Sequence, residues 1–179
     1  IEPLWHFHPD CQVILEGDSA TSVDPELGNL RIIPCSGHPW SVRLVQGQED
    51  PVQGWWSGTY NQKRPSPTAV YAAEIQKSAI FAWILLPAQG RVPTPIVELR
   101  PAAAGAISLC IHSPDQTEDI IAVRLSGTST IDLGQGLTLD GDCAILQTGQ
   151  TPLVAHGAIT DVEGTIIAEH HGSSRSWIG

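Results

Sequence analysis

Short runs in which hydrophobic and polar residues alternate occur along the whole chain and predict β-strands. In Trp40–Gly47, the side chains of Trp40, Val42 and Leu44 fall on one face, which is the pattern of a strand with one side on the core. No window of about a dozen residues keeps the apolar period of about 3.6 residues that an amphipathic helix shows. We therefore expect an all-β fold with little or no helix.

Two longer stretches have distinct patterns. Leu4–Leu15 is predicted as one extended strand. The run AIFAWILLP contains the predicted strand Ala79–Leu86 and is apolar on both faces. A strand of this kind is expected at the centre of a sheet, with packing on each side.

The spacing of strands and turns predicts the architecture. Gly (17) and Pro (14) interrupt the chain often, and about a dozen short strands at close spacing favour an antiparallel β-sandwich over parallel βαβ units. Residues 91–105 are rich in Pro and Ala and indicate a crossover. It would join a β-sandwich segment at 1–90 to a C-terminal β-meander at 106–179. We expect both segments to pack as one unit.

The charge balance excludes some partners. The chain carries 19 acidic and 9 basic side chains, a formal charge of −10, which opposes binding to nucleic acid or to an anionic membrane. No apolar run approaches the roughly 20 residues that cross a bilayer. Because the chain lacks Met and begins without a signal-peptide pattern, we expect a piece of a longer polypeptide or a processed product.

The four cysteines do not form a metal-binding CxxC pair. Cys11, Cys110 and Cys143 lie in apolar strand-like runs, where a free thiol behaves as a small hydrophobic group, and Cys35 is the fourth. Buried thiols are the favoured interpretation, and one or two disulfides are the alternative.

The segment WHFHPD offers a candidate metal site. In an extended strand His6 and His8 would point to one face with Asp10 beyond them, as metal ligands do in cupin-like β-scaffolds. Further ligands would have to come from histidines distant in sequence: His38, His112, His156 or the pair His170 and His171. Hydrogen-bonded histidines are the competing and favoured interpretation, so we assign no metal ligand.

Motifs of several enzyme classes are missing from the sequence. GxSxG, GxGxxG and GxxxxGK[ST] do not occur, and no Ser-His-Asp arrangement stands out. We assign no catalytic residue and expect no cofactor.

The stretch Gly47–Pro65, GQEDPVQGWWSGTYNQKRP, contains the candidate binding residues. Trp55, Trp56 and Tyr60 offer flat apolar faces on which sugar rings can stack, and Lys63 and Arg64 can meet a carboxylate or sulfate.

A structural role for the same stretch is the alternative. Gly54 and Gly58 would then form a corner and one tryptophan would pack into the core. Because neighbouring side chains of an extended chain face opposite ways, at most one of Trp55 and Trp56 is expected to point inward.

Three motifs together resemble a known family. WHFHPDCQVIL, then GQEDPVQGWWSGTYNQKRPSP, then AIFAWILLP resemble heparinase II/III-like proteins, in which an HxxP strand precedes a GW-S--Y--K-P loop and a strand ending in LL-P. The resemblance implies a parent polysaccharide lyase, periplasmic or extracellular, with an N-terminal α/α toroid and C-terminal β-sheet domains. Such enzymes cleave uronic-acid-containing glycans by β-elimination.

What the resemblance implies for this chain is a noncatalytic C-terminal β-sandwich region. It would support the catalytic toroid and contact an acidic polysaccharide. The family's catalytic Tyr and His and its structural zinc ligands have no match in this sequence, so none is carried over. The alternatives are a free-standing carbohydrate-binding module and a cupin-like metal-binding protein. A sheet face without its toroid would also favour a homodimer.

Overall fold

The computed structural model describes residues 1–35, 37–77, 79–102 and 104–170. Within these ranges the chain forms twenty β-strands and no helix, and every strand pair is antiparallel. The all-β, antiparallel prediction is confirmed. Since these residues hold no helix, none is long and apolar enough to cross a membrane.

The chain divides into two compact units, Ile1–Pro93 and Thr94–Gly179. The strands of the first unit are β1 (Leu4–His6), β2 (Val13–Glu16), β3 (Ser19–Ser22), β4 (Gly28–Pro34), β5 (Ser41–Val45), β6 (Gln48–Glu49), β7 (Val52–Gln53), β8 (Trp55–Trp56), β9 (Arg64–Pro65), β10 (Thr68–Ala72) and β11 (Trp83–Gln89). Those of the second unit are β12 (Ile96–Arg100), β13 (Ala106–His112), β14 (Glu118–Arg124), β15 (Ile131–Gly134), β16 (Leu137–Asp140), β17 (Cys143–Gln147), β18 (Leu153–Ala155), β19 (Gly157–Thr160) and β20 (Ile166–His170).

Two sheets of the first unit share one core. The sheet β1-β10-β5 contributes Ala69 and Tyr71, and the sheet β11-β4-β3-β2 contributes Ala20 and Ile32. The ring of Trp83 lies 4.7 Å from that of Tyr71, in an edge contact. Two short hairpins, β6-β7 and β8-β9, stand apart from both sheets.

The second unit has the same two-sheet plan. The sheet β12-β13-β14-β17-β18 supplies Cys110, Ile120, Ala122 and Ala144 to its core. The sheet β15-β16-β19-β20 supplies the other buried members: Ile131, Leu133, Leu139 and Ile159. Strand β12 lies within residues 91–105, where the sequence analysis predicts only a crossover. The packing of both segments as one unit stays a prediction.

The predicted long strand Leu4–Leu15 is wrong in its continuity. Strand β1 ends at His6, and a turn follows in which the backbone N–H of Cys11 donates to the carbonyl of His8 (2.9 Å). Strand β2 then starts at Val13 in the other sheet. Pro9, which has no N–H to give to a ladder, falls in this turn.

The predicted central strand is also wrong in its position. Strand β11 begins at Trp83, not at Ala79, and occupies the edge of its sheet, where it pairs only with β4 among the described residues. Leu85 is 47% exposed. Trp83, at the start of the strand, packs on aromatic rings, with its ring centroid 5.6 Å from that of Trp5.

The inward face predicted for Trp40–Gly47 is correct only in part. Trp40 and Val42 pack against the core of the first unit, but Leu44 is exposed and Val45 is buried instead.

Candidate functional site

A hairpin that projects from the first unit contains all five predicted binding residues. Strands β8 and β9 pair Trp55 with Pro65 and Trp56 with Arg64. At its base, the carbonyl of Gly54 accepts backbone N–H groups from Gly47 and from Ser66, each at 2.8 Å. The corner predicted at Gly54 is therefore present.

Close packing explains why residue 54 is glycine. Its φ is +72°, a region that side-chain-bearing L-residues rarely adopt, and a Cβ there would lie 2.9 Å from both the carbonyl oxygen of Val45 and the Cα of Gln46. The side chain of Ser66 completes the base, since its buried hydroxyl donates to the carbonyl of Phe7.

Trp55 has a structural environment. Its indole N–H donates to the carbonyl of Gln48 (2.9 Å), and the ammonium of Lys63 lies 3.8 Å from the ring centroid as a cation–π contact. With its N–H bound and a ring face covered, Trp55 braces the β6-β7 hairpin against β8-β9.

Trp56 faces the surface. It is 38% exposed and lines an open groove of about 290 Å³ with a set of mainly polar neighbours: Gly58, Thr59, Gln62, Lys63 and Arg64. The imidazole of His8 contacts the indole edge-on, with ring centroids 5.4 Å apart. The opposite placement of the two tryptophans follows from the alternation of side chains along an extended chain.

Gly58 lies directly against the Trp56 ring. A Cβ at position 58 would come within 2.1 Å of the ring carbon Cη2, so any other residue would displace the indole. The loop thus fixes the orientation of Trp56 by main-chain contact.

The two cations of the groove each have a carboxylate partner. Arg64 Nη2 donates to Asp10 Oδ1 at 2.6 Å, and Lys63 Nζ lies 3.3 Å from Glu49 Oε1. His8 Nδ1 lies 3.4 Å from the other oxygen of Asp10. Asp10 and Glu49 do not line the groove themselves, but they supply acceptors beside it and largely compensate its positive charge.

Tyr60 is placed away from this groove. Its side chain is 99% exposed at the tip of the hairpin and does not line the groove with Trp56. The structure thus places Trp56, Lys63 and Arg64 along one groove. Trp55 contacts Lys63 but does not line this groove, and Tyr60 lies apart from it. His8 and Asp10 join the site although the sequence analysis considered them only as metal ligands.

The histidines of the first strand do not converge on a metal. His6 Nδ1 lies 2.9 Å from the hydroxyl of Thr68 on β10, whereas His8 follows the end of β1 and contacts Asp10 and Trp56. This is the hydrogen-bonded arrangement that the sequence analysis favoured.

A second cavity of the first unit, of about 460 Å³, includes four buried polar residues in its lining, Thr21, Ser22, Asn29 and Arg31. The Asn29 side chain braces it: the amide donates to the carbonyls of Asp24 (2.6 Å) and Gly90 (2.7 Å), and its oxygen accepts the backbone N–H of Asp24 (2.8 Å). Arg31, only 4% exposed, is bound to the carboxylate of Glu16. These contacts hold the 24–28 turn in place.

The second unit contains a polar cluster that joins three strands. Cys110 Sγ lies 3.5 Å from His112 Nε2, and His112 Nδ1 lies 3.5 Å from Glu118 Oε2. Glu98 Oε2 approaches His112 Nε2 at 3.7 Å. Burial, followed by the charge of Glu118, raises the pKa of the Cys110 thiol. Among the described residues, this is the group of thiol, imidazole and carboxylate whose geometry can hold a metal ion.

The four cysteines are free thiols, as the favoured interpretation predicts. Cys35 and Cys110 are buried, and Cys11 and Cys143 are partly buried.

Comparisons with protein-family models, with curated proteins and with solved structures found no match to this chain. The resemblance to heparinase II/III-like proteins accordingly stays a prediction from short motifs.

Proposed function

We propose that the chain binds carbohydrate in the groove beside Trp56. The observation that carries this proposal is the position of a 38% exposed indole, fixed by Gly58, next to the Arg64–Asp10 pair. An aromatic surface can stack on the C–H bonds of a sugar ring, while a few placed polar groups set its orientation.

The polar groups suit sugar hydroxyls. A hydroxyl both donates and accepts, so it can donate to the Asp10 carboxylate while accepting from the Arg64 guanidinium. Gln62 adds an amide donor and acceptor along the same groove. This pairing of opposite charges favours a neutral glycan, because an incoming carboxylate would compete with Asp10 and Glu49.

The acidic polysaccharide expected from the family resemblance is kept as the second ligand to test. Exposed ion pairs contribute only about 0–1 kcal/mol, so a uronate could displace Asp10 from Arg64 at small cost. The formal charge of −10 opposes a polyanion at longer range.

The experiment is calorimetric titration with neutral and with uronate-containing oligosaccharides. Trp56→Ala is expected to weaken binding at least about tenfold, because it removes the stacking surface. Tyr60→Ala is the matched control and should bind normally, since Tyr60 lies outside the groove. Unchanged binding by Trp56→Ala, or no binding of any glycan by the unmodified chain, would overturn the proposal.

Salt separates the two ligand classes. Binding of a uronate glycan should weaken as ionic strength rises, because exposed charges are screened over about 8–10 Å. Binding of a neutral glycan should be nearly independent of salt.

As a second candidate, we propose that the chain is the noncatalytic β-region of a polysaccharide lyase. The all-β fold and the position of the GWWSGTYNQKRP motif on a hairpin that precedes β11 support it. The test is absorbance of unsaturated uronate products in the presence of the isolated chain. Turnover without a partner would contradict the noncatalytic assignment.

A further inference from the structure

Strand register gathers four potential metal ligands at one end of the five-stranded sheet. Cys110 and His112 are two residues apart on β13 and therefore share a face. Glu98 on β12 is directly opposite Cys110, and Glu118 on β14 is directly opposite His112. Directly opposed residues of an antiparallel pair project to the same side, so all four side chains lie on one face.

One pair of side-chain atoms has the separation found in a tetrahedral zinc site. Zinc–sulfur bonds of about 2.3 Å and zinc–nitrogen or zinc–oxygen bonds of about 2.0–2.1 Å place neighbouring ligand atoms roughly 3.3–3.6 Å apart. Cys110 Sγ and His112 Nε2 are 3.5 Å apart. One ligand atom from each of Cys110, His112 and Glu118 lies within 4.8 Å of the others. Because Cys110 is nearest to Nε2 of His112 and Glu118 is nearest to Nδ1, a side-chain rotation of His112 or Glu118 has to accompany binding of the ion.

We propose that Cys110, His112 and Glu118 bind a Zn²⁺ ion, and that Glu98, whose carboxylate lies 3.7 Å from His112 Nε2, moves in as the fourth ligand. A thiolate, an imidazole and carboxylates form the borderline-soft set that selects zinc over magnesium or calcium. Four protein ligands would close the coordination sphere, which makes the ion a structural link between β12, β13 and β14. This site belongs to the second unit and does not depend on the carbohydrate proposal.

The charges nearby are compatible with an ion held by three anionic ligands. Arg100 lies on the same face of β12 as Glu98, and its guanidinium donates to the carbonyl of Leu133 (2.6 Å). Its positive charge favours the thiolate form of Cys110. Zinc binds the thiolate form of cysteine, so binding should release the proton of the Cys110 thiol.

A metal-free interpretation accounts for the same contacts. His112 in its protonated form would pair with Glu98 and Glu118, and Cys110 would be a small buried hydrophobic group. The two interpretations differ at the sulfur of Cys110, because only a bound metal ion would form a bond to it.

The experiment uses cobalt(II) as a spectroscopic substitute for zinc, added to the full chain after chelation and reduction. One equivalent should produce a sulfur-to-cobalt charge-transfer absorption and intense tetrahedral d–d bands, and zinc should abolish both. Cys110→Ser should lose the charge-transfer absorption. Cys143→Ser, a partly buried thiol on neighbouring β17, is the matched control and should keep it.

Variants at the partly exposed ligands test the site without disturbing the core. Glu118→Gln and His112→Asn should each weaken zinc affinity by more than about 100-fold, since loss of groups that only orient ligands already costs about 10–100-fold. His156→Asn is the control for the histidine, because residue 156 has a φ of +49° and Asn tolerates this conformation.

The proposal is overturned if the unmodified chain gives no charge-transfer absorption with cobalt(II). It is also overturned if the absorption persists in Cys110→Ser. If Cys110→Ser does not fold, the spectrum of the unmodified chain and the zinc affinity of Glu118→Gln still decide. Unchanged zinc affinity in Glu118→Gln would show that Glu118 is not a ligand and would refute the tetrahedral site.

Discussion

Gly54→Ala is predicted to destabilise the first unit through the corner that supports the binding hairpin. Alanine at a φ of +72° costs about 1–2 kcal/mol because the Cβ crowds the following carbonyl. The new Cβ would also lie 2.9 Å from backbone atoms of Val45 and Gln46, which cannot rotate away as a side chain would. Forced overpacking of this kind costs about 1–3 kcal/mol. We expect a total loss of about 2–5 kcal/mol in the free energy of unfolding.

Denaturant unfolding followed by tryptophan fluorescence measures this loss, because five of the six tryptophans precede Pro93. The control is Gly28→Ala, at a position with open space around its Cβ and without a positive φ. Both variants lower the conformational entropy of the unfolded chain, an effect that by itself stabilises the folded state by about 0.4–1 kcal/mol. Gly28→Ala therefore serves as the reference for this effect. If Gly54→Ala unfolds within about 0.5 kcal/mol of Gly28→Ala, the steric reasoning about the corner is refuted.

Two further predictions concern buried polar groups. Glu16→Gln should destabilise by about 1–3 kcal/mol in denaturant unfolding, because it leaves the 4% exposed Arg31 without a carboxylate while water still reaches residue 16. Asp140→Asn should cost less than about 1 kcal/mol, since Asp140 is 74% exposed and 3.5 Å from Arg124, and equal losses would contradict the reasoning. Burial raises the pKa of Cys35 from 9.0 to about 11, and burial with the charge of Asp18 raises that of Tyr71 from 10.0 to about 12. The folded state holds both protons more tightly than the unfolded state does, and this difference stabilises the fold. The stabilisation is complete below pH 9 and is lost as the pH rises through 11 for Cys35 and 12 for Tyr71. The loss amounts to about 1.4 kcal/mol per group and pH unit. In pH-dependent unfolding, Tyr71→Phe should remove the Tyr71 part of this loss. If Tyr71→Phe loses as much stability at alkaline pH as the unmodified chain, Tyr71 is excluded as a cause of the loss.

Local patterns were sufficient for the fold class because alternation and turn residues act within one strand. The alternation of Trp40 and Val42 identified a strand and part of its inward face, although Val45 is buried in place of Leu44. The same pattern could not reveal that β11 occupies a sheet edge, since a run packed on aromatic rings has the composition of a central strand. Which strand pairs with which is decided by contacts distant in sequence.

The candidate sites show the same limit. The alternation rule separated Trp55 from Trp56, but only the structure places His8 and Asp10 beside Trp56 and Arg64. For the proposed zinc site, the Cys-x-His spacing of Cys110 and His112 is visible in the sequence and could have indicated two of the ligands. Its carboxylates depend on the registers of β12 and β14, which the sequence does not display.

The main-chain attachment of the β8-β9 hairpin has an evolutionary consequence. Its base is held by the carbonyl of Gly54 and the backbone and hydroxyl of Ser66, so side chains at 57–63, other than the constrained Gly58, contribute nothing to either sheet core. Mutation there should change the groove with little penalty in folding, and under the carbohydrate proposal it would alter ligand preference. Homologous chains should therefore diverge fastest between Ser57 and Lys63 while Gly54 and Ser66 persist. The same property makes this loop a suitable place for a randomised library.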